Sequence, residues 1–217
     1  MTYEEIVLFR ESDVVKNVIA SVNRALNLNG TLTFGDVELM HKACIHEAAS
    51  FKYSVWCALL PFDAIKVFEF QNSLDSYFKN GYMFEVSYKQ ACSLFNEMID
   101  HFENEDTPTT AVYFSHDGAL LKFYAHLGLF KDDNGLKYTD YKEDYKWDVS
   151  KIGPFAANIA FVMFKCASKE KVAVLFNERL INLPNCGELC DFETIKMQYN
   201  DSIRNCSYKK ICNITKA

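Results

Sequence analysis

The sequence lacks an excess of positive charge, and this absence excludes several kinds of partner. Its 217 residues include 23 lysines and arginines against 29 aspartates and glutamates, so the formal net charge is −6. Nucleic acids and anionic membrane surfaces are bound by strongly basic faces. We therefore expect no nucleic-acid partner, whereas a small anionic substrate held in a local basic pocket remains compatible with the composition.

The signatures of common metal and nucleotide sites are missing as well. The chain contains no Cys-x-x-Cys pair, no Gly-x-Gly-x-x-Gly run and no Walker loop. His41 and His46 are five residues apart, whereas histidine pairs that bind zinc from one helix are four apart. No stretch is long and apolar enough to predict a transmembrane helix. The sequence thus predicts no metal site, no cofactor and no membrane span.

Two signals about the cellular compartment conflict. The N-terminus is acidic and has no apolar core of the kind found in secretory signal peptides. In contrast, the eight cysteines are many for a cytosolic chain of this size. Four asparagines also stand in the Asn-x-Ser/Thr pattern of N-glycosylation: Asn29, Asn200, Asn205 and Asn213. Together these features predict a secretory-pathway protein whose true N-terminus is missing from this sequence.

The spacing of four cysteines suits local disulfides. Cys186 and Cys190 bracket three residues, and Cys206 and Cys212 bracket a polar loop near the C-terminus. Short loops of this kind favour disulfides in an oxidising compartment, although spacing alone leaves the connectivity open. These four cysteines are therefore the disulfide candidates.

The apolar pattern predicts helices first and strands later. Capping residues and three- or four-residue apolar spacing predict helices that start at Ser12 or Asp13, at about Asp36, after Pro61, and over 88–103. Beyond residue 110 the pattern predicts a short buried strand over 111–115 and a helix that follows residue 118. The pattern also predicts three further strands that form a meander, over 158–165, 171–176 and 180–183, and a closing helix over 191–204. This layout predicts an α/β protein.

One segment combines residues that could carry chemistry. The predicted strand 111–115 leads directly into His116 and Asp117, and a helix follows. The first turn of a helix suits phosphate, a histidine there can donate to a phosphate oxygen, and an adjacent carboxylic acid can protonate a leaving alkoxide. The alternative interpretation is structural: Asp117 caps the helix and His116 packs at the end of the strand.

The chain also resembles a known family. The segments that carry the resemblance occur in the family's order and extend from about residue 36 almost to the end: 40–49, 54–57, 66–69, 77–82, 114–117, 127–132, 153–158 and 174–178. They resemble the multiple inositol polyphosphate phosphatases, a group within the histidine acid phosphatases. Each segment is weak alone, but their order makes the set specific.

The resemblance implies a fold and an activity. It implies an α/β phosphatase domain, in which helices flank a sheet, together with a helical cap portion. Residues 1–105 are then expected to belong to the cap and 106–217 to the C-terminal part of the α/β domain, with the N-terminal part of the fold missing. The implied activity is metal-free removal of phosphate from inositol polyphosphates through a phosphohistidine intermediate.

The resemblance also assigns roles to two site residues. His116 corresponds to the family's second, phosphate-binding histidine, and Asp117 is the available proton donor. Many inositol polyphosphate phosphatases have His-Ala-Glu at this point, whereas here Gly118 stands in the place of the glutamate. This departure leaves the reach of the proton donor open.

A second departure concerns the nucleophile. The family's attacking histidine stands in Arg-His-Gly-x-Arg, and none of the five histidines of this chain does. The sequence is therefore expected to be either a partial sequence of a working enzyme or an inactive truncated product. Two other interpretations remain: a module that binds phosphorylated ligands without cleaving them, and a helical interaction domain with an incidental His-Asp pair.

Overall fold

A computed structural model describes residues 4–104, 106 and 108–213, and the chain divides into two units. The first unit comprises Met1–Tyr77 and Leu136–Lys151, and the second comprises Phe78–Gly135 and Ile152–Ala217. Each unit is therefore assembled from two separate stretches of the chain.

The first unit is helical. Its elements are α1 (Glu4–Glu11), α2 (Asp13–Ala25), α3 (Phe34–Phe51), α4 (Val55–Leu59), α5 (Phe62–Lys79), a 3-10 helix (Tyr138–Lys142) and α9 (Val149–Ile152), the ends of α5 and α9 reaching into the second unit. The side chains of Phe9, Phe68, Phe70, Leu74 and Trp147 are among those that its core buries. Burial of such a set supplies the main stabilising free energy of a helical unit.

Side-chain caps explain where two of these helices begin. The Ser12 hydroxyl accepts a hydrogen bond from the Val15 amide at 3.4 Å, so α2 begins at Asp13, and the predicted start is confirmed. Thr33 and Asp36 form a reciprocal capping box, in which the Thr33 amide donates to Asp36 Oδ2 at 2.8 Å. The predicted start of α3 at about Asp36 was two residues late, because Asp36 is the third helical residue.

The second unit combines helices with a small sheet. Its helices are α6 (Glu85–Lys89), α7 (Cys92–Glu103), α8 (Asp117–His126), α10 (Phe192–Gln198), α11 (Asn200–Asn205) and α12 (Tyr208–Ile211). Its strands are β1 (Ile159–Cys166), β2 (Lys169–Phe176), β3 (Arg179–Ile181) and β4 (Cys190–Asp191). The predicted closing helix over 191–204 is divided in two at Tyr199, whose hydroxyl donates to the Leu127 carbonyl at 2.7 Å.

The sheet confirms the predicted meander. Strand β2 lies between β1 and β3, and all pairs are antiparallel, with Phe161 opposite Val174 and Val174 opposite Ile181. The short strand β4 also pairs with β2, through Val172 opposite Cys190. Because β2 is central, its residues Val172, Ala173 and Val174 are buried.

The predicted buried strand over 111–115 is wrong. These residues form no regular secondary structure and are exposed, and Phe114 keeps 94% of its surface accessible. A strand needs a neighbour that accepts and donates its backbone hydrogen bonds, and none of the strands found in residues 4–104, 106 and 108–213 pairs with this segment. The apolar residues favour a strand locally, but local preference supplies no partner.

The two compact units do not divide the chain at residue 105, and the assignment of 1–105 to a cap and 106–217 to the α/β domain stays a prediction. Helix α7 ends at Glu103 but belongs with the C-terminal stretch, to which Cys92 is joined through a disulfide with Cys206. The Asn96 side-chain amide donates to the Ile203 carbonyl at 3.2 Å, and the Lys196 ammonium lies 2.8 Å from Glu103. These long-range contacts decide the division, because a helix belongs to the core against which it packs.

The disulfides differ in part from the candidates. Cys186 and Cys190 are paired, but Cys206 pairs with Cys92, and Cys212 is a free, exposed thiol. Helix α12 stands between Cys206 and Cys212, whereas α7 brings the Cα atom of Cys92 to 5.6 Å from that of Cys206. A local pairing of Cys206 with Cys212 is therefore a wrong expectation. The remaining bridge joins Cys44 to Cys57 across the turn between α3 and α4, and Cys166 is free.

Candidate functional site

Residues His116 and Asp117 lie together, exposed, at the start of α8. His116 is the N-cap residue, with φ −123° and ψ 167°, and Asp117 is the first residue of the helix. The extended backbone at His116 turns the chain into the helix and leaves both side chains accessible to a ligand. The predicted juxtaposition of the two side chains at a helix start is present, although the preceding segment is not a strand.

The backbone amides at this helix start are largely engaged. The Gly118 amide donates to Asp117 Oδ1 at 2.7 Å, and the Ala119 and Leu120 amides donate to the His116 carbonyl at 3.1 and 3.3 Å. A helix N-terminus binds anions best through free amides. Here a phosphate group must rely mainly on side-chain donors, with the helix dipole as a supporting field.

The His116 ring has the Ser115 hydroxyl at one edge and the Gly118 backbone near the other. His116 Nδ1 lies 3.3 Å from the Ser115 hydroxyl oxygen, and the opposite edge of the ring faces Gly118. A Cβ atom at Gly118 would lie 3.7 Å from His116 Nε2 and 3.5 Å from Asn80 Oδ1. The imidazole and the Asn80 amide thus both lie close to the Gly118 backbone, and an added methyl group would make ordinary contacts with them.

The sequence did not indicate that Asn80 would lie close to Gly118. Asn80 follows α5 directly. Asn80 and Gly118 are 38 positions apart, and no motif connects them. The only available signal was the glycine at position 118, which indicates that the backbone there is open to a close neighbour.

The helix that carries the site is well anchored. Leu121, Phe123, Tyr124 and Ala125 of α8 are buried. The Phe123 ring contacts the Phe161 ring of β1 at 5.9 Å between centroids. At the far end of the helix, His126 Nε2 lies 2.8 Å from the Ser202 hydroxyl oxygen. Packing along the middle and at the C-terminal end of α8 anchors the helix that carries His116, and a pre-organised site requires such a rigid element.

His126 predicts a measurable pH dependence of stability. Burial lowers the pKa of His126 from 6.5 to about 4, with partial compensation by a hydrogen bond to the Tyr88 backbone. The unfolded chain therefore binds a proton first as the pH falls, and the stabilisation present above pH 6.5 is lost between pH 6.5 and about 4. The expected loss at this site is up to about 3 kcal/mol.

Chemical unfolding of the chain and of His126→Gln at pH 7, 5.5 and 4 measures this loss. The variant removes the titrating ring, so its stability should decline less steeply over this range. Parallel declines in the two proteins would contradict the assignment. A second buried histidine, His41, provides a comparison in the same experiment. Its ring stacks on that of Phe68 with the centroids 5.5 Å apart, and burial lowers its pKa as well.

The remaining candidates are spread over the surface. All four glycosylation candidates, Asn29, Asn200, Asn205 and Asn213, have exposed side chains.

Among the residues that the structure describes, no three of His, Cys, Asp and Glu converge in a way that could hold a metal ion. Among the same residues, no helix combines the length and the apolar character that a membrane span requires.

Comparison with known proteins gives consistent results. The family model for the histidine phosphatase superfamily (branch 2) matches residues 4–177. Multiple inositol polyphosphate phosphatase 1 of Drosophila melanogaster is 32% identical over 88% of this chain and 43% of its own length. The protein of the same name from Gallus gallus is 28% identical over 96% of this chain and 51% of its own. The chain spans about half the length of these relatives.

A solved structure shares the fold. The crystal structure of the phytase from D. castellii superposes on the whole of this chain with a TM-score of 0.76, at 19% sequence identity. The match covers 49% of the phytase chain. At this level of identity the superposition establishes the architecture, and it agrees with an α/β fold in which helices accompany an antiparallel sheet.

Proposed function

Because the chain belongs to branch 2 of the histidine phosphatase superfamily, we propose that it supplies the acid half of a phosphomonoesterase site for inositol polyphosphates. The observation that carries the proposal is the position of His116 and Asp117. They are exposed together at the start of an anchored helix, and they are the residues that the family resemblance assigns to phosphate binding and proton donation.

The proposed reaction follows from these positions. A histidine nucleophile of the intact site forms a bond to phosphorus, while the bond between phosphorus and the ester oxygen breaks. The electron pair of the broken bond goes to the ester oxygen, and Asp117 transfers a proton to it, so the product leaves as an alcohol. His116 donates a hydrogen bond to a non-bridging oxygen and offsets the charge of the transferring group. Water then attacks phosphorus, returns a proton to Asp117 and releases inorganic phosphate. This step restores the histidine nucleophile and the acid.

The substrate class is inferred from the relatives. Two of them carry the name multiple inositol polyphosphate phosphatase 1 and align with most of this chain. We therefore propose inositol hexakisphosphate and less phosphorylated inositols as substrates, with 2,3-bisphosphoglycerate as a further compact anion of similar chemistry. The three disulfides and four exposed sequons support a location in the secretory pathway.

One observation favours a second candidate function. None of the five histidines stands in the Arg-His-Gly sequence that provides the family's nucleophile. A chain with the phosphate-binding histidine alone could bind phosphorylated ligands without cleaving them. It would then act as a binding module or represent an inactive product.

Parallel measurements of binding and turnover test the proposal. Calorimetry should detect binding of inositol hexakisphosphate to the 217-residue chain, and His116→Ala should weaken it by about tenfold, which is typical of losing a hydrogen bond to a charged group. His46→Ala, which changes an exposed histidine of α3, is the control. Equal affinities of the chain and His116→Ala would contradict the proposal.

Phosphate release then separates both candidates from a chain that cleaves substrate by itself. Binding without release supports a half-site, or a binding module, that needs a nucleophile from elsewhere. Release that His116→Ala abolishes would show that another residue of this chain attacks phosphorus.

A further inference from the structure

We propose that the first unit carries an anion-binding site of its own, a basic groove that takes a small polyphosphorylated molecule. The groove is lined by residues of α1, α2, the loop 26–32 and the start of α3, and its volume is about 620 Å³. This inference goes beyond the proposed function and does not depend on it, because the groove belongs to the first unit and His116 belongs to the second.

The charged side chains that line the basic groove are all positive. They are Arg10, Lys16 and Arg24, and no aspartate or glutamate is among the lining residues in the part of the chain that the structure describes. This local excess contrasts with the formal net charge of −6 for the whole chain. Because cations around a concave surface raise the local concentration of anions, the groove favours a negatively charged ligand.

Two of the three cations have no acidic partner. In the described part of the chain, neither Lys16 nor Arg24 forms an ion pair, and both residues are exposed. Arg24 lies in the last turn of α2, where the helix dipole favours a cation. This structural explanation does not extend to Lys16, which lies near the other end of the helix. Both charges are therefore available to a ligand.

The third cation, Arg10, is held in place but keeps unused donors. Its guanidinium carbon lies 5.0 Å from the centroid of the Phe34 ring, which also lines the groove. Its Nη2 lies 3.8 Å from Glu38 Oε1, which is longer than a hydrogen bond. Its Nε is buried and has no hydrogen-bond acceptor among the described residues. A stacked guanidinium with free N–H groups is well suited to a phosphate oxygen.

The spacing of the cations indicates a ligand with several phosphate groups. Lys16, Ala20 and Arg24 follow one another at four-residue intervals, so they lie along one side of α2 over about 12 Å. Charges two turns apart suit a molecule that carries phosphates on several sides better than a single phosphate. The loop wall is fixed by Asn23, whose side chain accepts from the Leu32 amide at 3.0 Å and donates to the Leu32 carbonyl at 3.1 Å.

An NMR titration of the full chain with inositol hexakisphosphate tests the inference, because amide shifts locate the bound ligand. The amides of Ala20 and Gly30 report on the basic groove and should shift, whereas the Gly118 amide reports on the His116 site. Inorganic phosphate should bind the groove about tenfold more weakly, since it engages fewer cations at once. Asn29 also lines the groove. The variant Asn29→Gln, which cannot carry a glycan, should bind at least as tightly.

A charge placed inside the groove provides the decisive variant. Ala20→Glu adds a carboxylate four residues from both Lys16 and Arg24, so it should weaken binding at the groove by about tenfold. Asn17→Glu makes the same charge change on α2 but outside the groove, and it should leave affinity within about twofold. Both positions are exposed, so neither change disturbs the core.

The outcomes separate this inference from the proposed function. Equal affinities of Ala20→Glu and Asn17→Glu would overturn the inference, because the position of the charge would then have no effect. Unchanged Ala20 and Gly30 amides in both the chain and Asn29→Gln would overturn it as well. Binding at the groove without any response of Gly118 would instead contradict the proposed function and support this inference.

Discussion

Replacing Cys92 and Cys206 together by serine is expected to lower the free energy of unfolding by about 4 to 5 kcal/mol. The bridge joins residues 114 positions apart and so closes most of the second unit into one loop. A crosslink of this span restricts the unfolded chain strongly, and its removal releases that entropy on unfolding. Both ends lie where α7 packs beside the C-terminal helices, so the loss also loosens the position of α7.

The matched control is the double serine variant at Cys186 and Cys190. These residues are only four positions apart, and chain-entropy arguments give their bridge about 2 kcal/mol. Urea unfolding of the oxidised chain and of the two variants measures the difference directly. Equal destabilisation by the two variants would show that loop length does not govern the stability of this unit.

Phe95→Ala is expected to lower the free energy of unfolding by about 3 to 5 kcal/mol. The Phe95 side chain is completely buried in α7, and its ring centroid lies 4.8 Å from that of Tyr199 and 5.7 Å from that of His126. Its removal leaves a cavity between α7, α8 and the break between α10 and α11. Aromatic contacts of this kind add to the transfer free energy of the ring.

Phe114→Ala provides the control, because it deletes the same side chain at a position that is 94% exposed. Its expected effect on stability is within about 0.5 kcal/mol. Thermal or urea unfolding compares the two variants. If Phe95→Ala were as mild as Phe114→Ala, the contacts between α7 and α8 would not form the core of this unit, and the anchoring of the candidate site would need another explanation.

The helices and the meander were predictable because their causes are local. A hydroxyl at Ser12 followed by apolar residues at helical spacing is sufficient to start α2. In the meander, β1, β2 and β3 follow one another directly along the chain. Their hydrogen-bond partners are therefore sequence neighbours, and little information from elsewhere is needed.

The sequence by itself determined which residues could carry the chemistry. His116 and Asp117 are adjacent and lead into a helix, so their proximity was fixed before folding. The tertiary structure decided the rest: segment 111–115 has no strand partner among the described residues, Cys206 pairs with Cys92, and Asn80 lies beside Gly118. The physical reason is common to all three. Each depends on which distant segments pack together, and packing at long sequence separation is encoded by the whole core rather than by any local pattern.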